Sequence, residues 1–381
     1  MNDQRWMSQN FFTFFMTWGI FLPYWTAYLI TGKGLTVPEA SYMMSFGLVA
    51  RGFSTLFIFP YISKKWSSKR VLDFLAVGAF ISAFLYIPAN SLPTILLVTL
   101  IFSIFYPALM PALDSIAGQL VQHGQLHYGK SRSYGSTGFV VMVLIISMVT
   151  GKFGDGSILW LMLIGLALLL LLNARPAPAV LLEAPKLQSS SKFTLKGLFK
   201  VKYFPIVLLI GILLQGAHAS YYNYGYIYLQ QLGVEKYFIG IIINIGVLFE
   251  ILFFAKADRL FSHWKPSSLL VLAAAGSTVR WLLVSLIPSI PVFVISQSLH
   301  TLSFAMAHFA VILFFTQHLP REQMPNAQGM YNALAMSWST AVLTLFGGFL
   351  YEIEPRFAFL GMVVFSLPAL LLSIYLKRKI A

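Results

Sequence analysis

The sequence predicts an all-α membrane protein of twelve transmembrane helices, and three observations predict it. Composition is the first: 58% of the residues are hydrophobic and 10% charged, with a mean hydropathy of +0.77. Soluble domains carry roughly 25% charged residues. A water-facing surface cannot be built from so few charges, whereas side chains facing lipid need none. The second is segmentation. Apolar stretches fall at roughly 8–30, 40–62, 71–88, 93–121, 133–151, 157–173, 203–229, 237–255, 267–287, 291–318, 327–350 and 357–376, most of them near the ~20 residues a helical crossing needs. The third is a one-sided distribution of cations.

Along the chain, Met1 to Trp6 is short and polar, and the first apolar stretch follows without a small-residue cleavage site. It reads as a first membrane helix and not as a removed signal. Pro38, Pro93, Pro266, Pro291 and Pro355 stand at span starts, where a missing N–H leaves no helical bond unmade. The long polar segment, Asn173 to Lys202, is rich in Pro, Ser and Lys and reads as a flexible linker. The expected organisation is a six-helix bundle over 1–173, a cytoplasmic linker over 174–202 and a second six-helix bundle over 203–381.

With the N-terminus inside, four of the 26 Lys and Arg fall in outside segments: Lys33, Lys152, Lys236 and Arg356. Arg51 and Arg280 lie within helices. The rest are inside, among them Lys64, Lys65, Lys69, Arg70, the linker residues Lys186 and Lys192, Arg321 and the run Lys377 to Lys379. This positive-inside bias places both termini in the cytoplasm and requires an even number of spans. It also accounts for the net charge of +14 without nucleic acid. With no cysteine, disulfide, zinc–thiolate and thiol chemistry are excluded. The expectation is a multi-pass inner-membrane protein, a monomer in lipid, with no cofactor and no metal.

The two halves carry weak internal similarity. Gly47-Leu-Val-Ala-Arg51 parallels Gly246-Val-Leu-Phe-Glu250, and Tyr134 stands in register with Tyr331. Two such halves follow the plan of transporters whose site lies near the midplane at the repeat interface.

Ionisable side chains at mid-bilayer cost about 2.5–3.5 kcal/mol, and those that persist usually have partners and mark pathways. The candidates are Arg51, Asp114, Arg132, His218, Glu250, Arg280, His300 and His308. Asp114 follows Pro107 and Pro111, and Arg132 opens the next helix in Tyr128-Gly-Lys-Ser-Arg-Ser-Tyr-Gly135, so the two can meet as an ion pair. Glu250 and Arg280 are expected to pair with each other or with substrate. Glu250 is the candidate proton carrier, because a carboxyl group passes between charged and neutral forms and an adjacent Arg would make that balance respond to conformation. A histidine can carry a proton near pH 7. The stretch Gln215-Gly-Ala-His218-Ala-Ser-Tyr-Tyr-Asn-Tyr-Gly225 is unusually polar for a span, and its glycines permit bending or close packing. Most of the aromatic residues, 16% of the chain, are expected to face lipid or neighbouring helices. Tyr24, Phe139 and Tyr221 are candidates to line a site for a ring-bearing substrate.

On Leu48-Val-Ala-Arg51, Tyr128-Gly-Lys-Ser-Arg132, Gln215-Gly-Ala-His-Ala-Ser-Tyr-Tyr222, Val279-Arg-Trp281 and Gly348-Phe-Leu-Tyr351, the chain resembles the phenylpropionate permease family of the major facilitator superfamily. That resemblance implies the major facilitator fold and a proton-driven permease for a small aromatic carboxylic acid, working by alternating access. More distantly the chain is similar to the lactose permease family. Asp114 and Arg132 have the spacing of that family's sugar-binding Glu and Arg, Glu250, Arg280 and His300 match its Glu, Arg and His, and Phe139 falls where its sugar-stacking Trp sits. There are departures. Ser303 stands where the proton-carrying carboxylate would be, and Gln297 where a lysine would be. Lys64 replaces an expected Asp in the facilitator loop motif, of which Asp258-Arg259 preserves a fragment.

The expected site therefore comprises Asp114, Arg132, Phe139, His218, Tyr221 and Arg280 for substrate, and Glu250, His300 and His308 for protons. An oligosaccharide or nucleoside symporter is the alternative, and a non-transporting membrane sensor a third reading. An enzyme is not expected, since the sequence has no nucleophile–base spacing, metal cluster or phosphate-binding glycine loop.

Overall fold

The computed structural model describes residues 3–124, 126–183, 195–261, 263–320 and 323–380. Linker residues 184–194, with Lys186 and Lys192, lie outside the described residues, as do Arg321 and the side chain of Asp258. Among the described residues the chain is all-helical, without strands. Its rods are α1 (Asp3–Ala27), α2 (Val37–Lys65), α3 (Ser68–Phe84), α4 (Leu92–Gln122), α5 (Tyr128–Phe153), α6 (Ser157–Asn173), α7 (Phe204–Gln231), α8 (Lys236–Phe261), α9 (Pro266–Leu286), α10 (Ile290–His318), α11 (Asn326–Ile353) and α12 (Pro355–Ile380).

Nine of these, among the described residues, are long and apolar enough to cross a membrane: α2, α4, α5 and α7 to α12. The other three differ for physical reasons. Helices α3 and α6 are 17 residues each. Helix α1 carries polar residues that turn inward or satisfy themselves: Asn10 donates to the Trp6 carbonyl at 2.9 Å, Thr13 to Gln9 at 2.9 Å and Thr17 to Phe14 at 2.7 Å. Prolines 93, 266 and 291 occupy first-turn positions of α4, α9 and α10, and Pro355 begins α12, as their missing N–H predicts.

The chain divides into two compact units, Met1–Leu35 with Phe46–Ser189, and Thr36–Ser45 with Ser190–Ala381. In the first unit α1 lies along α5, α3 packs on α6 and α4, and α2 touches α4. In the second, α7 lies on α11, α9 on α12 and α10, and α8 on α10. The same contacts recur six helices later. Gly47 and Gly246 mark one of them. A Cβ on Gly47 would stand 2.7 Å from Ser103 Oγ of α4, and one on Gly246 would stand 2.9 Å from Gln297 Oε1 of α10. Each glycine lets two helices approach beside a polar side chain. The tyrosine match is not repeated in packing: Tyr134 is half exposed and Tyr331 fully buried.

Close approach governs α1 and α5 as well. A Cβ on Gly138 would press on the backbone carbonyl of Phe12, which no rotamer change can relieve. Alanine is favoured over glycine by about 1 kcal/mol in a free helix, but overpacking costs about 1–3 kcal/mol. Gly138→Ala is therefore expected to lower the midpoint of thermal unfolding in detergent. A raised midpoint would show that propensity outweighs the contact.

Candidate functional site

The second unit gathers most of the expensive polar residues into one cluster, and breaks in its helices place them. Helix α7 stops at Gly216 and resumes at Ala219, with His218 at the break. Helix α10 runs to Ser298 and then passes, after Leu299 and His300, into a π-helical segment Thr301–Met306. Such a segment shifts the side-chain register within a helix and frequently marks a functional site. Both histidines are buried, and their ring centroids are 5.7 Å apart.

Arg280 of α9 is fully buried and joins them. Its Nη1 donates to His300 Nδ1 at 2.8 Å and to Ser303 Oγ at 3.2 Å. Ser303 Oγ lies 3.0 Å from His218 Nε2, and His218 Nδ1 lies 2.9 Å from the Leu214 carbonyl. On the far side of His300, Nε2 stands 3.7 Å from Glu250 Oε2. The Arg280 guanidinium is flanked by the rings of Tyr221 and Trp281, at 4.4 and 4.5 Å from their centroids, a cation–π arrangement. Tyr221 in turn donates to Gln297 Oε1 at 2.8 Å. Phe304 stacks on His300 at 5.4 Å.

Donor and acceptor identity fixes the protons. Arginine has only N–H donors, so His300 Nδ1 must accept. A neutral His300 then carries its proton on Nε2, facing Glu250. The Leu214 carbonyl can only accept, so His218 carries a proton on Nδ1. When His218 is neutral, Nε2 accepts from the Ser303 hydroxyl, whose oxygen accepts from Arg280. The cluster is thus a directed chain from Arg280 to both histidines, and His300 cannot bind a second proton without breaking its bond to Arg280. Two further guanidinium atoms, Nε and Nη2, are buried without a full-strength hydrogen bond, the Tyr221 hydroxyl being the polar group close to the guanidinium. These lie on one edge of the planar group, the fork that takes a carboxylate bidentately.

His300 contacts both members of the expected Glu250–Arg280 pair. Ser303 and Gln297, which sequence reasoning treated only as departures, both belong to the cluster. Their signal was spacing, three residues on either side of His300 and hence on one helix face. His308 has different surroundings. Its ring packs on Tyr331 at 5.6 Å, and its Nδ1 is buried without a partner.

In the first unit, Tyr128 donates to Asp114 Oδ1 at 3.2 Å, and Arg132 lies over Phe15 at 4.0 Å. Asp114 and Arg132 do interact electrostatically, with the Tyr128 hydroxyl on the carboxylate and Phe15 under the guanidinium. Arg51 lies over Trp18 at 5.4 Å. Phe139 is buried, and its carbonyl would stand 3.0 Å from a Cβ on Gly19, so its turn of α5 serves the contact with α1. Tyr24 bonds Ser147 Oγ at 3.0 Å and ties the same two helices.

Comparison with known proteins identifies the family. The pattern of the MFS_1 like family matches residues 4–361. The chain belongs to this family. It is 30% identical to the "Probable 3-phenylpropionic acid transporter" of Escherichia coli (strain K12), covering 98% of this chain and 97% of that one. It is 25% identical to the "Maltose permease" of Geobacillus stearothermophilus over 70% of this chain and 67% of that one. The crystal structure of the nucleoside transporter NupG superposes with a TM-score of 0.82 at 19% identity, covering 99% of each chain, and shares the fold. This member of the MFS_1 like family is a multi-pass membrane transporter, and its relatives are transporters and not enzymes.

Proposed function

We propose that this transporter imports a small aromatic carboxylic acid, such as 3-phenylpropionate, together with protons across the inner membrane. In this reading the twelve rods are twelve spans in two six-helix bundles, 1–173 and 203–381, joined by a linker over 174–202. Both termini are cytoplasmic and the working unit is a monomer. One observation carries the substrate class: the buried Nε–Nη2 edge of Arg280, which makes no full hydrogen bond and is flanked by Tyr221 and Trp281. The edge suits a carboxylate, and the flanking rings suit an arene. The relative named for 3-phenylpropionic acid supports the same class. His218 and Tyr221 complete the substrate contacts in the second unit, and Asp114, Arg132 and Phe139 are assigned to substrate in the first. Glu250 and His300 carry the proton, because His300 links the carboxylate site to the one carboxyl group of the cluster. His308 is assigned to proton transfer as a separate station. An oligosaccharide is the second reading, favoured by the maltose permease relative.

The test is proton flux in proteoliposomes on adding 3-phenylpropionate, cinnamate, lactose, melibiose, maltose or uridine. Protein-free liposomes give the passive entry of the neutral acids, to be subtracted. The aromatic acids are expected to alkalinise the outside and the sugars to be silent. A response confined to sugars or uridine would overturn the carboxylate assignment.

A further inference from the structure

At one end of the first unit, the first turns of α1 and α5 meet the last turn of α6 around a cavity of about 650 Å³. Its walls are of two kinds. Arg5 and Lys130 line it together with the polar side chains of Ser8 and Gln9, while Phe12, Leu168 and Leu172 form an apolar wall. Arg175 reaches the rim, where Nη1 donates to Gln9 Oε1 at 3.5 Å. Among the described residues that line the cavity none is acidic. Arg5 and Lys130 are exposed, and neither forms an ion pair with a described carboxylate.

We propose that this cavity binds an anionic phospholipid, its phosphate between Arg5, Lys130 and Arg175 and its acyl chain along Phe12, Leu168 and Leu172. Charge complementarity and position both fit this occupant. Helix α5 is long and apolar enough to span, so a cavity at its first turn lies at the level where headgroups sit. Two helix N-termini open there against one C-terminus, so the helix ends add a net partial positive charge. Basic pockets between membrane helices hold anionic headgroups for this reason. A free phosphate would use the cations but leave the apolar wall without a function, whereas a lipid uses both. The site is separate from the Arg280 cluster, and the inference does not depend on the transported substrate.

Native mass spectrometry of the purified full chain in detergent tests it, with phosphatidylglycerol and phosphatidylcholine of matched chains added in equal amounts. One phosphatidylglycerol is expected to be retained in preference. Each cation near an anionic headgroup contributes about fivefold, so the double variant Arg5→Gln, Lys130→Gln is expected to lose about thirtyfold in retention. The variant Arg5→Lys, Lys130→Arg should keep it, which separates charge from folding. Equal retention of the two lipids, or of phosphatidylglycerol by wild type and the glutamine variant, overturns the proposal. Displacement of the lipid by millimolar inorganic phosphate would assign the cations to free phosphate instead.

Discussion

Replacing Arg280 by glutamine is expected to abolish uptake of the aromatic acid. The guanidinium of Arg280 supplies the fork proposed for the carboxylate and also donates to His300 and Ser303. Hydrogen bonds to charged groups contribute about 1.5–3 kcal/mol each. Losing two therefore removes about 3–6 kcal/mol, a hundredfold or more in affinity. Arg280→Lys separates charge from shape. Lysine keeps the charge as a single point and has no planar fork, so it should retain a small fraction of uptake. The measurement is counterflow of labelled 3-phenylpropionate in proteoliposomes, with thermal unfolding of each variant in detergent to confirm that it is folded. Wild-type counterflow in Arg280→Lys would remove the bidentate clamp from the mechanism. Under the oligosaccharide reading, the same variants should only weaken transport, because hydroxyl groups need no cation.

Much of this fold was legible in the sequence because lipid imposes a length and a polarity on every crossing. The start prolines Pro93, Pro266 and Pro291 fall in first turns as read. The interior breaks were not legible as breaks. Hydropathy runs smoothly through Tyr106 to Ala108 in α4 and through His300 to Met306 in α10, although the structure interrupts or rewinds each helix there. Pro107 in α4, and in α7 the glycines and polar side chains of Gln215 to Gly225, were the local hints. The onset of α1 at Asp3 was missed for the opposite reason: Gln4 looks like a solvent-facing residue, yet it hydrogen-bonds to Ser131 of α5. For the candidate site, the sequence supplied the members that are costly to insert, Arg280, His218, His300 and Glu250. It could not supply their order. That His300 contacts both Arg280 and Glu250 depends on how α8, α9 and α10 pack, which no spacing within one helix encodes. The reading of Ser303 as a mere loss shows the same limit, since its hydroxyl bridges α7, α9 and α10.

That bridging order makes Glu250→Gln informative. With His300 neutral and Nδ1 occupied by Arg280, its Nε2–H faces the Glu250 carboxylate. A proton arriving on Glu250 removes the negative charge that holds this side of His300. Under the proposed function, a carboxylate on the Nε–Nη2 edge of Arg280 weakens the Nη1 bond to Nδ1 and frees His300 to take a proton in turn. In the proposed mechanism the two ligands act on one imidazole from opposite sides, and that would couple them. Glutamine keeps the size of Glu250 and its capacity to accept from Nε2–H, but it cannot exchange a proton. In Glu250→Gln, accumulation of the acid driven by an imposed pH step is expected to fall to simple equilibration. Exchange of internal for external label, which needs no net proton movement, is expected to stay near the wild-type rate. Wild-type accumulation in Glu250→Gln, together with its loss in His300→Gln, would move the proton from the carboxyl group to the imidazole. Wild-type accumulation in both would place coupling outside this cluster, with His308 the next group to replace.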